Sequence, residues 1–267
     1  MIITWLIYIM LGLCAGLLAG LLGVGGGLVI VPMLVFMFTW QKLPAVYIQH
    51  LALGTSLATI VVTSLSSVRA HHAHGAVEWR VFQRITPGIV GGTLLGSWVA
   101  AQLSTSFLKL FFITFTYYVA TQMLLDIKPK PHRQLPGLPG FSLVGGVIGL
   151  ISSLVGIGGG SMSVPFLVWC NMGMRHAIGT SAAIGFPIAL SGAIGYVANG
   201  LPVDGLPPYS LGFVYLPALI GIAAASFLSA PLGARLAHRL PVSRLKKIFA
   251  ILLLTIGTKM LWGVLAG

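Results

Sequence analysis

Apolar residues run on along this chain in stretches too long for strands, broken by short polar or glycine- and proline-rich segments. Runs near the 18–20 residues that cross a bilayer predict helices over about 5–22, 48–70, 82–103, 107–126, 141–155, 176–198, 210–236 and 245–265. Two further runs, about 28–40 and 161–172, are shorter. At 1.5 Å per residue a dozen residues reach roughly 18–20 Å, against about 30 Å of hydrocarbon. Each short run follows a glycine cluster: "GLLGVGGGLVIVPMLVF" at 20–36 and "SLVGIGGGSMSVPFLVW" at 153–169.

These two stretches belong to a duplication. A shift of 133 residues carries Gly12, Gly16, Gly23, Gly25, Gly26, Gly27 and Pro32 onto Gly145, Gly149, Gly156, Gly158, Gly159, Gly160 and Pro165. A shift of 125 carries "LGTSLA" (53–58) onto "IGTSAA" (178–183), and a shift of 137 carries "TQMLL" (121–125) onto "TKMLW" (258–262). The expected organisation is repeat one at 1–126, a linker at 127–140 and repeat two at 141–267, in a single transmembrane domain. Each repeat is a helix, a short helix and three longer helices.

Composition narrows the class. The chain is 57% hydrophobic and 7% charged, with a mean hydropathy of +1.00, whereas soluble domains carry about 25% charged residues. The fold class is therefore an all-α polytopic membrane protein, and long continuous runs exclude a membrane barrel. The net charge is +12, from 15 Lys and Arg against 3 acids. In a bilayer protein this reads as cationic loops that set orientation, not as a nucleic-acid surface. Cys14 and Cys170 both lie in apolar runs and read as small core residues.

The charges differ between equivalent loops. Segment 69–84 holds Arg69, Arg80 and Arg84, while 199–209 holds only Asp204; segment 235–247 holds five Lys or Arg, while 103–109 holds only Lys109. The linker holds Lys128, Lys130 and Arg133. Positive-inside bias then places 69–84, 127–140 and 235–247 in the cytoplasm, with both termini outside. Each helix–glycine–helix pair must return to the side it came from. The two repeats are then inverted relative to one another, as in many secondary transporters. Eight spanning helices are expected, with the short runs as half-helices.

A broken helix exposes backbone groups that lipid does not tolerate, so each break should face a protein-lined cavity. The half-helix after each cluster presents free N–H groups and a positive dipole end, which suit an oxyanion. On this basis Gly25, Gly26, Gly27, Gly158, Gly159 and Gly160 are candidate substrate-binding residues. Pro32 and Pro165 join them, set early in the half-helices where a missing N–H costs least. Thr55, Ser56, Thr180, Ser181, Ser161 and Ser163 offer small donors, or alternatively bond their own helix backbone. Gly12/Gly16/Gly20 and Gly88/Gly92/Gly96, spaced by four, read as helix packing. His50 and Arg175 occupy equivalent positions before the "GTS" elements. Arg175 supplies a fork for oxyanions or a topology anchor, and His50 a titratable group or a loop histidine. Lys259, inside an apolar run, is a functional candidate or a snorkelling one. His71, His72 and His74 lie close together, but without a ligand set they read as solvated groups, and no metal or cofactor is expected. Glu78, Asp126 and Asp204 all fall at segment ends, which suits an anion path over a cation-coupled one. No nucleophile–base pair appears, so the chain is not expected to be an enzyme.

The paired glycine stretches, each followed by "GTS", together with "GARLAHRLPVSRLKKIFAILLL" (233–254), resemble the sulfite exporter TauE/SafE family over nearly the whole chain. The resemblance implies multi-pass transport in a bacterial or archaeal inner membrane. It implies sulfite, sulfoacetate or other organosulfonates as substrates, and export as the direction. It places the family motif on Gly23, Gly25–Gly27, Pro32 and Thr55–Ser56, and on Gly156, Gly158–Gly160, Pro165 and Thr180–Ser181. The expected partners are a small anion and the lipid bilayer, with no nucleic acid, and a homodimer is an open arrangement. A channel-like anion pathway and a non-transporting membrane scaffold or sensor subunit are the alternatives.

Overall fold

The computed structural model describes residues 2–22, 26–125, 134–237 and 242–265. Among them run ten helices: α1 (Ile2–Leu22), α2 (Gly27–Trp40), α3 (Ile48–Ala73), α4 (Trp79–Gln102), α5 (Thr105–Leu124), α6 (Leu138–Val155), α7 (Gly160–Trp169), α8 (Met174–Gly200), α9 (Leu216–Ala237) and α10 (Val242–Leu265). The all-α membrane class holds. Seven helices are long and apolar enough to span a bilayer, and α2 and α7 are the short apolar ones. The eighth expected span, α4, has the length but carries Arg80 and Arg84 in its first two turns and is not among the seven. A second departure lies before α9. The helix expected from 210 begins at Leu216, because Ser210–Leu211 and Val214–Tyr215 pair as a tight antiparallel hairpin, β1–β2, turning at Gly212 with φ 54°. Gly23, Gly25, the first half of the linker 127–140, with Lys128, Lys130 and Arg133, and Arg239 lie outside the described residues.

Helices α3 and α8 form the centre, with 72% of their apolar spans buried against 33% for α1, α5 and α10. They run antiparallel: Gly54 abuts Tyr196, Gly192 abuts Leu57, and Gly179 abuts Ala76 just beyond α3. Around them the two halves exchange partners. Helix α1 lies along α9 in the same direction, with Gly12 on Ile222 and Gly16 on Ser226. Likewise α4 lies along α6, with Gly88 on Ser142 and Gly92 on Gly146. At each of these glycines a Cβ would run into the neighbour's backbone, so the small residue is what lets the helices close up, as van der Waals packing in lipid requires. Outward faces carry Leu143, Leu228, Trp98 and Trp262 exposed, as a lipid-facing surface should.

Helix direction sorts the loops. Thr55 bonds Tyr215, Thr63 bonds Ser226 and Ser66 bonds Phe227, so α3 and α9 run the same way. The ends carrying Arg69 and Arg235 therefore share a face, with Arg80, Arg84 and Arg175 at the adjoining starts of α4 and α8. The opposite face holds Gln41, Asp204 and the β1–β2 hairpin. Helix α2 doubles back along α1: Gln41, just past its end, donates from Nε2 to the Tyr8 hydroxyl at 2.8 Å.

Candidate functional site

Both breaks are built to one plan. Helix α6 ends when Gly156 turns left-handed (φ 73°), and the N–H groups of Gly156 and Ile157 both return to the Ser152 carbonyl. Gly159 then starts α7 with φ 75°, and Gly26 starts α2 with the same φ. A side chain at either position would be strained. Neither N-cap contributes a side-chain bond, so the first N–H groups of α2 and α7 depend on their surroundings. The carbonyl of Gly26 accepts from Val29 and Ile30, and that of Gly159 from Met162 and Ser163, residue for residue. The half-helices start one residue earlier than the sequence suggested, at Gly27 and Gly160. Pro32 and Pro165 are consequently sixth in their helices, past the first turn, and each leaves unmatched the carbonyl four residues back, on Leu28 or Ser161. The low-cost position expected for them does not hold.

The breaks touch. Gly27 packs on the Gly156 carbonyl and on Ile157, and Ser56 donates from Oγ to that same carbonyl at 2.8 Å. Beside this contact, on its arginine-rich side, lies a closed cavity between Ala19 of α1, Ile60, Thr63, Ser64 and Ser67 of α3, Gly158 of the second break, and Ala182 and Gly185 of α8. It leaves about 10 Å³ for a water's centre, room for about one water. Three buried hydroxyls have no partner among the described residues: Ser67 on the cavity wall, Ser152 against Gly159, and Ser161 in the first turn of α7. Ser163 bonds the Gly159 carbonyl and, at 2.7 Å, the Ser181 hydroxyl. Buried hydroxyls left without hydrogen bonds are costly unless a guest or water completes them. The polarity is one-sided. The repeat partners of Ser152, Ser161 and Ser163 are Ala19, Leu28 and Ile30, and those of Thr63, Ser64 and Ser67 are Ile188, Ala189 and Gly192. Sequence reasoning passed over Ser152, Thr63, Ser64 and Ser67. The signal for the α3 residues was present as a hydroxyl at every fourth position, Thr55, Thr59 and Thr63, followed by Ser67.

The threonines of the two "GTS" elements face outward from the breaks. Thr55 Oγ1 accepts from the Tyr215 N–H, and Thr180 Oγ1 accepts from the Glu78 N–H, both at 2.9 Å. The preceding glycines let the same loops dock, Gly54 against the Phe213 carbonyl and Gly179 against the Ala76 carbonyl. Each element is thus a lock that fastens the loop before α4 or α9 onto a central helix. The Glu78 lock has further ties: Arg175 donates to the His74 carbonyl at 2.7 Å, and His176 meets the Glu78 carboxylate at 3.2 Å. Arg175 therefore holds a loop on the exposed face and does not enter the break. His50 is buried, and its Nε2 sits 3.1 Å from both the Ala100 and the Leu103 carbonyls, pinning α3 to the α4–α5 corner. It is neither a loop histidine nor near the cavity. Lys259 lies exposed with its ammonium 4.9 Å from the centre of the Phe36 ring. Of the remaining candidates, Gly25 lies outside the described residues, and Gly158 lines the cavity directly. Among the described residues no group of three metal-ligating side chains comes together.

Long apolar helices packed around two touching helix breaks define a multi-pass helical membrane protein with a polar centre. The sulfite exporter TauE/SafE profile matches residues 8–260. A Haemophilus influenzae probable membrane transporter protein is 39% identical over 256 residues, covering 96% of this chain and 97% of its own. The Bacillus subtilis probable membrane transporter YunE is 26% identical over 280 residues, covering 97% and 98%. No solved structure matches. The chain belongs to the sulfite exporter TauE/SafE family of membrane transporters.

Proposed function

We propose that the protein is a secondary carrier for a small sulfur oxyanion, sulfite or an organosulfonate, bound at the second break. The observation that carries this is the uncapped N-terminus of α7 with two buried hydroxyls that have no partner among the described residues, Ser152 against Gly159 and Ser161 in its first turn, beside a cavity that Ser67 shares with Gly158. Free N–H groups and neutral hydroxyls replace an anion's water without a fixed countercharge, so the anion can leave again. Two halves of opposite sense, indicated by the antiparallel α3 and α8 and by the exchanged partners α1–α9 and α4–α6, fit alternating access. The Thr55–Tyr215 and Thr180–Glu78 locks are the gates on the two faces. Room for about one water at the centre fits a carrier closed in mid-cycle better than an open pore. The five clustered arginines put their face in the cytoplasm of an inner membrane, and export toward the Gln41 face follows from the family's description.

The test is flux in liposomes. Purified protein should move radiolabelled sulfite with saturation and counterflow. Ser152→Ala and Ser161→Ala, which remove groups that hold nothing in the empty protein, should each cut the rate at least about tenfold through one lost anion hydrogen bond. Wild-type rates in both variants would place the anion elsewhere; no flux of any sulfur anion by the wild-type protein would end the carrier reading.

A further inference from the structure

On the face opposite the arginines, the start of α1, the end of α2, the β1–β2 hairpin and the start of α9 enclose a second space, a cleft of about 540 Å³. Its polar wall holds Tyr8, Gln41, Tyr209 and Tyr215, and Trp5 and Leu43 supply apolar surface. Among the described residues no acidic or basic side chain lines it. The Tyr8 oxygen already accepts from Gln41 Nε2, so what remains for a guest is the Tyr8 proton and the second amide proton of Gln41. Burial, with the Tyr209 phenol beside it, pushes the Tyr215 hydroxyl above the usual tyrosine range and keeps it a neutral donor. Phe38 meets the Tyr215 ring edge-on at 5.4 Å and fixes it. Tyr209 sits at φ 66°, a backbone state that a bulky residue rarely adopts, and its carbonyl is held by the Leu216 N–H.

The cleft is wired to the central cavity. Tyr215 hangs on Thr55 by its N–H, and the next residue, Ser56, holds the Gly156 carbonyl of the second break. The floor of the cleft is therefore the lock itself, two residues from the break.

We infer that this cleft is an entry and release site for a small organic anion, its sulfonate or carboxylate head taken by the phenol and amide donors and its short apolar body by Trp5 and Leu43. Neutral donors in a partly apolar cleft favour an oxyanion that has shed some of its water, and the walls reward a short alkyl tail that leaves water on binding. This rests on the carrier reading for its role in transport, though not for binding itself.

The full chain in phosphatidylcholine nanodiscs, probed by equilibrium dialysis with radiolabelled butanesulfonate, tests binding. The same chain in oriented phosphatidylcholine liposomes tests the role in flux. Tyr209→Phe combined with Gln41→Leu keeps the shape and removes donors. The pair should raise the half-saturating butanesulfonate concentration about tenfold when the anion is offered on the cleft side, leaving the value for the arginine side where it was. No shift, or equal shifts from both sides, would overturn the site. So would displacement of butanesulfonate by tetramethylammonium, which marks an aromatic cation site instead. Saturable binding that the double variant weakens, with no flux in the wild type, would uphold the cleft and sink the carrier reading alone.

Discussion

At the scale of single residues, the protein separates groups that hold it together from groups held ready. His50 belongs to the first kind. Its imidazole bridges two buried carbonyls, so His50→Ala should cost about 1–3 kcal/mol, seen as a lower melting temperature in detergent with flux per folded molecule retained. Gly159 is structural in a second sense, since a Cβ there would collide with Ile188 at a positive φ. Gly159→Val should destabilise by at least about 1–3 kcal/mol and give little folded protein on size-exclusion chromatography. Ser152, Ser161 and Ser67 are the second kind, polar and buried with no partner among the described residues. The sequence could name the glycines, because their clustering has few other uses in an apolar chain. It could not tell a hydroxyl that locks a loop, such as Thr55, from a buried one with no partner among the described residues, such as Ser161. That difference lies in partners a hundred or more residues away, as between Ser56 and Gly156.

At the scale of elements, the broken helices were legible because glycine and proline interrupt a run wherever they occur, while the hairpin before α9 was not. Its strands are two residues each, too short to alternate visibly, and its position is set by docking onto α3. Helix α4 is less apolar than the other long helices, with Arg80 and Arg84 near its start and glycine at Gly88, Gly91, Gly92 and Gly96, yet it runs from the Glu78 lock on the arginine face to the His50 corner on the other. The two threonine locks differ in their reinforcement, one tied by Arg175 and the His176–Glu78 pair, the other by neutral contacts. If they are gates, Thr180→Val should free only the arginine face. In a background without Cys14 and Cys170, Ala182→Cys should then react several-fold faster with a charged thiol reagent added on that face, while Thr55→Val leaves the rate from that face as it was. Equal acceleration by both variants would mean that the locks serve stability and not access.

At the scale of the molecule, the exchange of partners between halves makes the arrangement of charge testable. Asp204 and Arg84 sit on opposite faces, so Asp204→Cys should be labelled from outside the cell and Arg84→Cys only after permeabilisation. Labelling of both from one side would refute the placement of the arginine face. The expectation of inversion came from the loops alone, because the positive charges fell on non-equivalent segments. The one-sided hydroxyl set could not be weighed until the structure showed which serines are buried together.

The contact of Gly27 with the Gly156 carbonyl has a consequence for how such a machine could avoid idling. The start of α2 rests on the turn that ends α6, backbone on backbone, with space beside it for little more than a water. On the carrier reading, a passenger larger than that would have to wedge this contact apart, and in doing so would supply the strain that loosens one lid or the other. An unladen molecule has no such wedge, so it would stay shut to both compartments, and the membrane's ion gradients would not drain through it between turnovers.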